Sequence, residues 1–352
     1  MKLLLVSPIF EPTRGGASIY FAMLVGYFTH DPDVDAICLL TVFNKHAKIV
    51  EKRGKIIFLR VLPKNYLRKT RYIGALAERT KYLLSFVLSF FVISFFNPSI
   101  VHAHSHVDCY GTILAAKLLG KPLITDVRDT GCERKIFSKG DRVIVMSENT
   151  KKHVNSLNKE KVNYIPLPFE AQLPKKSFVE KVISTYGLNG VNFLIFVGDA
   201  SNDKGLLNLI KAMKFLEKDK LHLVIIGKNS LGEVLAKYTR KNQRIHYLDQ
   251  LDPPAVLSLI SVAKMLILPS KREALGRVVL EALFCGTQVL VPDFISEFSY
   301  FPKESRITDF TPRGLSSSIV NSLKSNIPQY DFKKHKPSIV FEKTKQVYTS
   351  LL

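Results

Sequence analysis

The sequence predicts an α/β protein made of two domains, each with a doubly wound parallel sheet between layers of helices. Short apolar runs rich in Val, Ile and Leu alternate with longer stretches of helical periodicity, and continuous apolar runs indicate strands buried on both faces. The chain has 352 residues, more than one hydrophobic core usually serves. A proline-rich interruption near the middle of the chain adds a natural boundary. Together these observations favour two packed domains of similar architecture.

The predicted strands follow one rhythm from the beginning of the chain to residue 292. The first of them, residues 3–7, leads into a helix from about residue 17, and the strand 99–104 leads into a helix from about 108. The other predicted strands are 122–127, 142–147, 193–198, 221–227, 264–270 and 287–292. Ligands of doubly wound sheets bind beyond the carboxyl ends of the strands, so two such domains are expected to face a central cleft.

Prolines break this rhythm between residues 163 and 176, in the stretch NYIPLPFEAQLPKK. No helix or strand period is sustained there, which predicts an interdomain linker. The predicted domains are therefore 1–168 and 169–336, followed by a closing segment, 337–352. The beginning of the chain, MKLLLVSPIFEP, has an apolar run too short for a signal peptide and is interpreted as the first buried strand.

The composition is that of a folded globular protein with an excess of positive charge. Hydrophobic residues make up 46% and charged residues 23% of the chain, and the formal net charge is +21. Such a charge attracts polyanions, namely nucleic acid, anionic lipid or phosphorylated substrates, although it can also serve solubility alone. No helix-turn-helix, zinc-finger or RNP-like pattern is present, so a nucleic-acid partner is not expected.

The cysteines favour a reducing compartment. Cys38, Cys109, Cys132 and Cys285 form no CxxC pair and no short Cys/His ligand spacing. This pattern argues against a disulfide framework and against structural zinc. We therefore expect a cytoplasmic protein, either free or peripheral on the inner face of the cell membrane.

Residues 64–96 differ from the rest of the first domain. A basic lead-in is followed by the apolar run YLLSFVLSFFVISFF at 82–96. The basic residues are Lys64, Arg68, Lys69, Arg71, Arg79 and Lys81, against the single Glu78. The run is short for a membrane crossing and holds three serines, so two interpretations stay open: a core helix with a solvated lead-in, or a helix that contacts the membrane surface.

The stretch PSKREALGRVVLEALFCGTQVLVP, residues 269–292, carries the strongest chemical pattern. Glu273 lies in the loop after a predicted strand, Gly276 opens the next helix, and Glu281 follows about one and a half turns later. The amides of Leu275, Gly276 and Arg277 would then be donors for a diphosphate, because a helix start carries free N–H groups and partial positive charge. The Glu281 carboxylate can accept hydrogen bonds from two ribose hydroxyls.

This stretch resembles the E-x7-E signature of the retaining GT-B glycosyltransferases of family four, the glycosyl transferases group 1. The resemblance implies a GT-B fold of two Rossmann-like domains, with Glu273 against the transferred sugar and Glu281 on the nucleotide ribose. The expected co-substrate is a nucleoside diphosphate sugar, with no separate cofactor and no metal. It also implies that the closing helix near the end of the chain crosses back to the first domain.

Two glycine-containing loops also match this family. Gly15 and Gly16 follow the first strand, where the family's glycine loop approaches the donor phosphate; a flexible turn is the alternative. The segment VGDASNDKG, 197–205, resembles the family's G-R-L-x-x-x-K-G element, so Gly198 and Lys204 are expected at the diphosphate. Asp199 stands where the family has arginine, a reversal of charge for which Arg277 or Lys271 could compensate.

The acceptor side is expected on the loops after the strands 99–104 and 122–127. His102, His104 and His106 alternate at strand period and share one face, and His104 is the expected acceptor-side residue. In Asp126-Val127-Arg128-Asp129, Arg128 stands where many family members have histidine. Asp129 would then act in catalysis and Arg128 would orient the acceptor, although a charge pair that braces the loop is the other interpretation.

The function indicated is transfer of a sugar, with retention, to a hydroxyl of a glycan or a lipid-linked acceptor. Two alternatives stay open. A sugar-nucleotide epimerase shares the fold, and a non-catalytic module that binds a membrane surface or a polyanion would explain Asp199, Arg128 and the net charge of +21.

Overall fold

The computed structural model describes residues 1–13, 15–63, 71–129, 131–154, 156–218 and 220–352. In the helix that begins at Arg71, side chains are described from residue 79 onward. The chain forms two compact units. The first unit comprises residues 1–168 together with 333–352, and the second unit comprises residues 169–332.

The first unit is built on an eight-stranded sheet in the order β3-β4-β2-β1-β5-β6-β7-β8. Its strands are β1 (Lys2–Ser7), β2 (Ala36–Val42), β3 (Val50–Arg53), β4 (Ile56–Leu62), β5 (Ile100–His104), β6 (Leu123–Val127), β7 (Arg142–Val145) and β8 (Val162–Tyr164). All pairs are parallel except β3 with β4, which form an antiparallel hairpin. Its helices are α1 (Gly16–Thr29), α2 (Arg71–Phe96), α3 (Tyr110–Leu118), α4 (Arg134–Phe137), α5 (Glu148–His153) and, at the end of the chain, α12 (Pro337–Thr349).

Both faces of this sheet are buried. Alternate residues of β1 point to opposite faces, and Leu3 and Leu4 are both fully buried. On one face α1 and α12 pack together, with the rings of Phe28 and Tyr348 stacked 5.2 Å apart. On the other face α2 and α3 cover β1 and β5. Burial on two faces is the physical reason for the continuous apolar strands of the sequence.

The second unit has a six-stranded parallel sheet in the order β11-β10-β9-β12-β13-β14. Its strands are β9 (Phe193–Val197), β10 (His222–Ile226), β11 (Ile245–Leu248), β12 (Met265–Ile267), β13 (Gln288–Pro292) and β14 (Arg306–Ile307). Its helices are α6 (Lys176–Thr185), α7 (Leu206–Ala212), α8 (Glu233–Lys241), α9 (Pro253–Val262), α10 (Arg277–Phe284) and α11 (Pro312–Ser322). A single apolar cluster joins β9, β10 and β12 to α7 and α11.

The prediction of strands was incomplete, and it was wrong about part of the linker. Each of the eight apolar runs contains an observed strand, but β2, β3, β4, β8, β11 and β14 were not predicted. Residues 162–164 form β8, although 163 and 164 lie within the predicted linker. The expectation of a wholly parallel sheet fails at β3 and β4, which form an antiparallel hairpin. Gly54, with a positive φ of 57°, lies in the turn between them. Strand β3 is largely exposed and polar, so it lacks the apolar run on which the prediction depended.

Strand order fixes where each unit can bind a ligand. In the second unit, β9 has β10 on one side and β12 on the other, so the connections leave β9 in opposite directions. In the first unit, β1 lies between β2 and β5 in the same way. A crevice opens beyond the carboxyl ends of the strands at such a switch point.

Candidate active site

The loops that follow β9 and β12 are bound to each other at the carboxyl edge of the second sheet. Gly205 has a φ of +70°, and a Cβ atom there would lie 2.0 Å from the carbonyl oxygen of Pro269. The backbone N–H of Lys271 donates a hydrogen bond to the carbonyl oxygen of Asp203 at 3.1 Å. Only glycine permits this approach, so the position of Lys204 is fixed relative to the loop that carries Glu273.

Lys204 and Glu273 form an ion pair in this place. The distance from Lys204 Nζ to Glu273 Oε2 is 2.8 Å, and the two side chains are 34% and 16% exposed. The backbone N–H of Ala274 also donates to Glu273 Oε1 at 3.3 Å. A half-buried cation and a carboxylate, 69 residues apart in the sequence, therefore meet at the switch point.

Gly276 sets the start of α10. It adopts a left-handed conformation with φ of 80°, and a Cβ atom there would lie 2.7 Å from Leu268 Cδ2. Leu275, whose amide was expected to bind a diphosphate, has a fully buried side chain. The backbone N–H of Val279 in the first turn donates to the Gly276 carbonyl oxygen at 2.9 Å. The partial positive charge of a helix start favours an anion at this position.

Glu281 lies one turn into α10 and pairs with Arg277, whose Nε donates to Glu281 Oε1 at 3.1 Å. Burial raises the pKa of Glu281, and the neighbouring Arg277 charge opposes that rise. The Arg277 guanidinium also lies 5.7 Å from the centre of the Phe169 ring. Both charged side chains line a cavity of about 620 Å³ between residues 170–178 and the beginning of α9.

Asp199, which replaces the arginine of the family pattern, is bound to the loop after β10. Ser230 Oγ donates to Asp199 Oδ1 at 2.5 Å. A Cβ atom on Gly227 would lie 2.0 Å from the carbonyl oxygen of Gly198, so these two loops touch through their backbones. The Asp199 carboxylate is thus held by a hydroxyl, while Arg277 is paired with Glu281.

The glycine loop of the first unit lies at the carboxyl end of β1. Gly15 is the N-cap of α1 in an extended conformation, and Ser18 Oγ donates to its carbonyl oxygen at 2.9 Å. A Cβ atom on Gly15 would meet Ile9 Cδ1 at 2.6 Å, whereas Gly16 faces open space. The start of α1 therefore offers uncovered backbone at the switch point of the first sheet.

A buried charge network lies beside this loop and joins β5, β6 and α12. Arg128 Nε is 2.8 Å from Asp126 Oδ1, and His102 Nε2 is 3.1 Å from Asp126 Oδ2. The other ring nitrogen of His102 is 2.6 Å from the Tyr348 hydroxyl. Burial alone would raise the pKa of Asp126, but the Arg128 charge and the His102 hydrogen bond outweigh it and lower the pKa to about 2.

Arg128 is itself enclosed. Its guanidinium lies 3.3 Å from the centre of the Tyr20 ring, a cation–π contact, and the residue is 7% exposed. A desolvated cation between an aromatic face and a carboxylate is a rigid element of the fold. Arg128 and Asp126 therefore form a buried charge pair in the structure.

His104 and Ser105 present buried polar atoms at the carboxyl end of β5. His104 Nδ1 and Ser105 Oγ have no hydrogen-bond partner among the described residues. Burial lowers the pKa of His104 to about 4, although the carboxylates of Asp126 and Asp129 oppose this effect. The imidazole is therefore neutral at pH 7. Buried polar atoms rarely stay unpaired, so a bound molecule or water is expected to satisfy these two.

Asp129 lies just beyond β6 and is exposed. Its Oδ1 accepts a hydrogen bond from the backbone N–H of Gly131 at 2.7 Å, which closes a turn. His106, the third of the alternating histidines, is beyond the end of β5 and has a side chain that is 44% exposed. Within the described ranges, no group of three His, Cys, Asp or Glu side chains could hold a metal ion.

Sequence reasoning did not find the partners that come from distant segments. Tyr20 contacts Arg128, Phe169 contacts Arg277 and Ser230 contacts Asp199, yet none of the three lies in a recognisable motif. Ser270, in the loop after β12, has a buried hydroxyl without a hydrogen-bond partner among the described residues. Its position next to the loop that carries Glu273 was visible in the sequence, but a lone serine gives no signal.

Two doubly wound parallel-sheet units, each with its switch point at the carboxyl ends of its strands, define a GT-B fold. Solved structures agree with this assignment. A glycosyltransferase from Rickettsia africae matches with a TM-score of 0.71 and 15% identity, over 99% of this chain and 98% of that one. The Anabaena protein Alr3699/HepE, crystallised with UDP and glucose, matches with a TM-score of 0.75 and 16% identity over the whole of both chains.

Residues 180–301 match the model of the family described as glycosyl transferases group 1. This range contains Lys204, Glu273 and Glu281. The chain is also 23% identical, over 283 residues, to the uncharacterized glycosyltransferase YqgM of Bacillus subtilis. That similarity covers 71% of this chain and 77% of the relative.

Proposed function

We propose that this protein is a retaining glycosyltransferase that moves a sugar from a nucleoside diphosphate sugar to a hydroxyl of a glycan or a lipid-linked acceptor. The observation that carries the proposal is the Lys204–Glu273 pair at 2.8 Å, beside the glycine-capped start of α10. A cation, a carboxylate and the positive end of a helix together match the charges of a sugar diphosphate.

The second unit would hold the donor. The amides of Leu275, Gly276 and Arg277 would bind the diphosphate, with Gly198 as a further backbone contact. Glu281 would accept the ribose hydroxyls at the edge of its cavity. The UDP and glucose in the Anabaena structure support a sugar nucleotide as the donor.

In the reaction, the bond between the anomeric carbon and the diphosphate oxygen breaks and a bond to the acceptor oxygen forms. Lys204 would leave Glu273 and neutralise the charge that develops on the departing diphosphate. Glu273 would then lie against the sugar and hold its orientation. The proton of the acceptor hydroxyl leaves with the diphosphate. Retention is proposed from the family resemblance and no covalent nucleophile is assigned.

The first unit would hold the acceptor. The unpaired His104 Nδ1 and Ser105 Oγ are suited to hydroxyl groups, because each can donate or accept one hydrogen bond. The exposed Asp129 carboxylate would orient the attacking hydroxyl. Arg128 would contribute by holding Asp126 and Tyr20 in place. A cytoplasmic location is proposed with this activity, since sugar nucleotides are available there.

The experiment that tests the proposal is a screen of UDP-, GDP- and ADP-sugars for thermal stabilisation, followed by product analysis with saccharide and lipid acceptors. We expect one class of donor to raise the unfolding temperature and to yield a glycosylated product. Glu273→Gln should abolish transfer, whereas Glu180→Gln on the exposed face of α6 should not. If no donor stabilises the protein, the proposal is wrong. Rearrangement of the sugar without an acceptor would indicate an epimerase instead.

A further inference from the structure

Helix α2 presents an apolar face to solvent. Among the described residues, one helical segment, Arg79–Phe96, is long and apolar enough to cross a membrane by length and composition. Its mean hydropathy is 1.4, yet only 22% of it is buried inside the protein. Phe91 is 54% exposed and Phe95 is 86% exposed. A core helix with this composition would be mostly buried, so the apolar side chains serve some other contact.

The exposed side chains form one continuous stripe. Residues four apart in a helix lie on the same face, and Leu83, Val87, Phe91 and Phe95 follow that spacing. Leu84 extends the stripe sideways. The rings of Phe91 and Phe95 stack on each other with centroids 6.4 Å apart. We call these five residues the α2 stripe.

The face of α2 that packs against the rest of the first unit is mixed, with polar side chains beside apolar ones such as the buried Ile93. Lys81 forms a buried ion pair with Asp108. Ser89 Oγ is 2.7 Å from the Thr112 hydroxyl of α3. A Cβ atom on Gly111 would lie 2.5 Å from Ser85 Oγ, so α2 and α3 approach closely along this face. The helix thus differs from an ordinary surface helix, because the side that it turns to solvent is apolar rather than polar.

This packing excludes a spanning role for α2 in the folded protein. Ile93 is fully buried in the same core cluster as β1 and β5. Membrane insertion across the bilayer would expose Lys81, Asp108 and the serines to hydrocarbon, which is strongly unfavourable. The stripe alone is free to enter an apolar phase, and it would do so with the helix axis parallel to the surface.

Basic side chains lie at both ends of the stripe. Arg79 is exposed at the beginning of the described helix. At the other end, Lys2 lies 6.0 Å from the centre of the Phe96 ring, and Lys121 hydrogen bonds to Asn97. No acidic residue lies between 79 and 96. Apolar side chains between basic ones are the composition of helices that lie in a membrane interface.

We propose that the α2 stripe docks the protein on an anionic lipid bilayer, with the helix in the headgroup region. Anionic headgroups would pair with the basic side chains at the two ends while the stripe enters the acyl boundary. A second copy of the chain suits this surface less well, because each copy carries a net charge of +21 and the same basic ends. This proposal rests on α2 and is independent of the proposed donor chemistry.

Vesicle flotation tests this proposal. Phosphatidylcholine vesicles and vesicles of phosphatidylcholine with phosphatidylglycerol, about seven to three, are mixed with the whole protein at low and high salt. We expect flotation with the anionic vesicles, weaker at high salt. Phe91→Glu should reduce bound protein at least tenfold. Phe215→Glu is the matched control, because Phe215 is a 50% exposed phenylalanine of the second unit. Equal loss in both variants would overturn the assignment to α2.

A second measurement uses the absence of tryptophan from the chain. Phe95→Trp and, separately, Phe215→Trp each introduce one fluorophore without a new charge. Anionic vesicles should shift the emission of Phe95→Trp to shorter wavelength and leave that of Phe215→Trp unchanged. An unshifted Phe95→Trp spectrum would contradict the proposal. A dimer in vesicle-free solution that Phe91→Glu dissociates, without flotation, would assign the stripe to a second copy and overturn it too.

Discussion

The Glu281 carboxylate is largely buried and pairs with a cation, so its removal should weaken donor binding. Its carboxylate is 21% exposed and pairs with Arg277 four residues earlier in α10. We expect Glu281→Ala to weaken binding of the stabilising sugar nucleotide about tenfold to a hundredfold, since hydrogen bonds to a charged group contribute about 1.5–3 kcal/mol. Calorimetry measures this difference directly.

The matched control for Glu281 is Glu180 in α6. Glu180 also follows a cation by four residues, in this case Lys176, but the pair is exposed at 4.0 Å. Glu180→Ala should leave the dissociation constant unchanged, because exposed ion pairs contribute little to any property. Equal effects of the two substitutions would remove Glu281 from the proposed ribose site.

His104 predicts a pH dependence of stability. Its pKa in the folded protein is about 4 because of burial, whereas an unfolded chain has a histidine pKa of about 6.5. Between these values the unfolded state binds the proton and the folded state does not, so stability falls as the pH is lowered from about 6.5 to about 4. At pH 5.5 this loss amounts to about 1 kcal/mol relative to pH 7.5.

Urea unfolding of the wild type and of His104→Asn at pH 7.5 and 5.5 measures that contribution. The variant should lose about 1 kcal/mol less than the wild type on acidification, whatever its stability at pH 7.5. His106→Asn is the control, since it removes a histidine whose side chain is 44% exposed. An unchanged pH dependence in His104→Asn would mean that the imidazole is not desolvated.

At the scale of elements, the contact between the loops after β9 and β12 depends on Gly205. Gly205 and Gly190 share a φ of +70°, but a Cβ atom on Gly190 would meet nothing within 4 Å. Gly190→Ala should therefore cost only the left-handed conformation, about 1 kcal/mol. Gly205→Ala adds a clash with the Pro269 carbonyl and should cost about 3 kcal/mol in total.

Thermal unfolding of the two glycine variants distinguishes the cost of the left-handed backbone from the cost of the clash with the Pro269 carbonyl. If Gly205→Ala keeps its stability because the loop moves instead, the Lys204–Glu273 pair should be displaced and donor binding should weaken. If Gly205→Ala resembles Gly190→Ala in both stability and donor binding, the close approach at Gly205 does not fix the two loops.

Uniform burial made several strands predictable, although β2 is buried in the same way and was not predicted. The strands β1, β5, β9 and β10 are buried along nearly their whole length, so their apolar runs stand out in the sequence. Strand β3 is exposed and β14 has two residues, and neither produces a pattern. The exposed face of α2 could not be predicted. Its apolar content is visible in the sequence, but the contacts of Lys81 and Ser89 decide which face turns to solvent.

At the scale of the whole molecule, the last helix completes the first unit. Phe341, Val347 and Tyr348 of α12 are buried in the same core as α1 and β1. Lys345 also forms an ion pair with Asp31 at 2.9 Å. Deletion of residues 337–352 should therefore unfold the first unit, because each large buried side chain of this kind contributes about 2–5 kcal/mol.

Limited proteolysis of the truncated chain measures this effect. We expect rapid cleavage within residues 1–168, while a fragment that contains residues 169–332 survives and still binds the sugar nucleotide, since Lys204, Glu273 and Glu281 all lie there. Removal of Leu352 alone, a residue that is 66% exposed, is the control and should change nothing. Equal protection of residues 1–168 in both deletions would contradict the prediction.

The sequence by itself determined the α/β class, the two series of strands and the group of residues from Glu273 to Glu281. These features are local, because a buried strand, a helix start and an i,i+4 pair each depend on neighbours in the chain. Only the tertiary structure decided which face of α2 is exposed, that Arg128 is enclosed by Tyr20 and Asp126, and that His102 bonds to Tyr348, 246 residues away. Segments far apart in the chain bury and desolvate these groups, so a local sequence pattern cannot predict their environment.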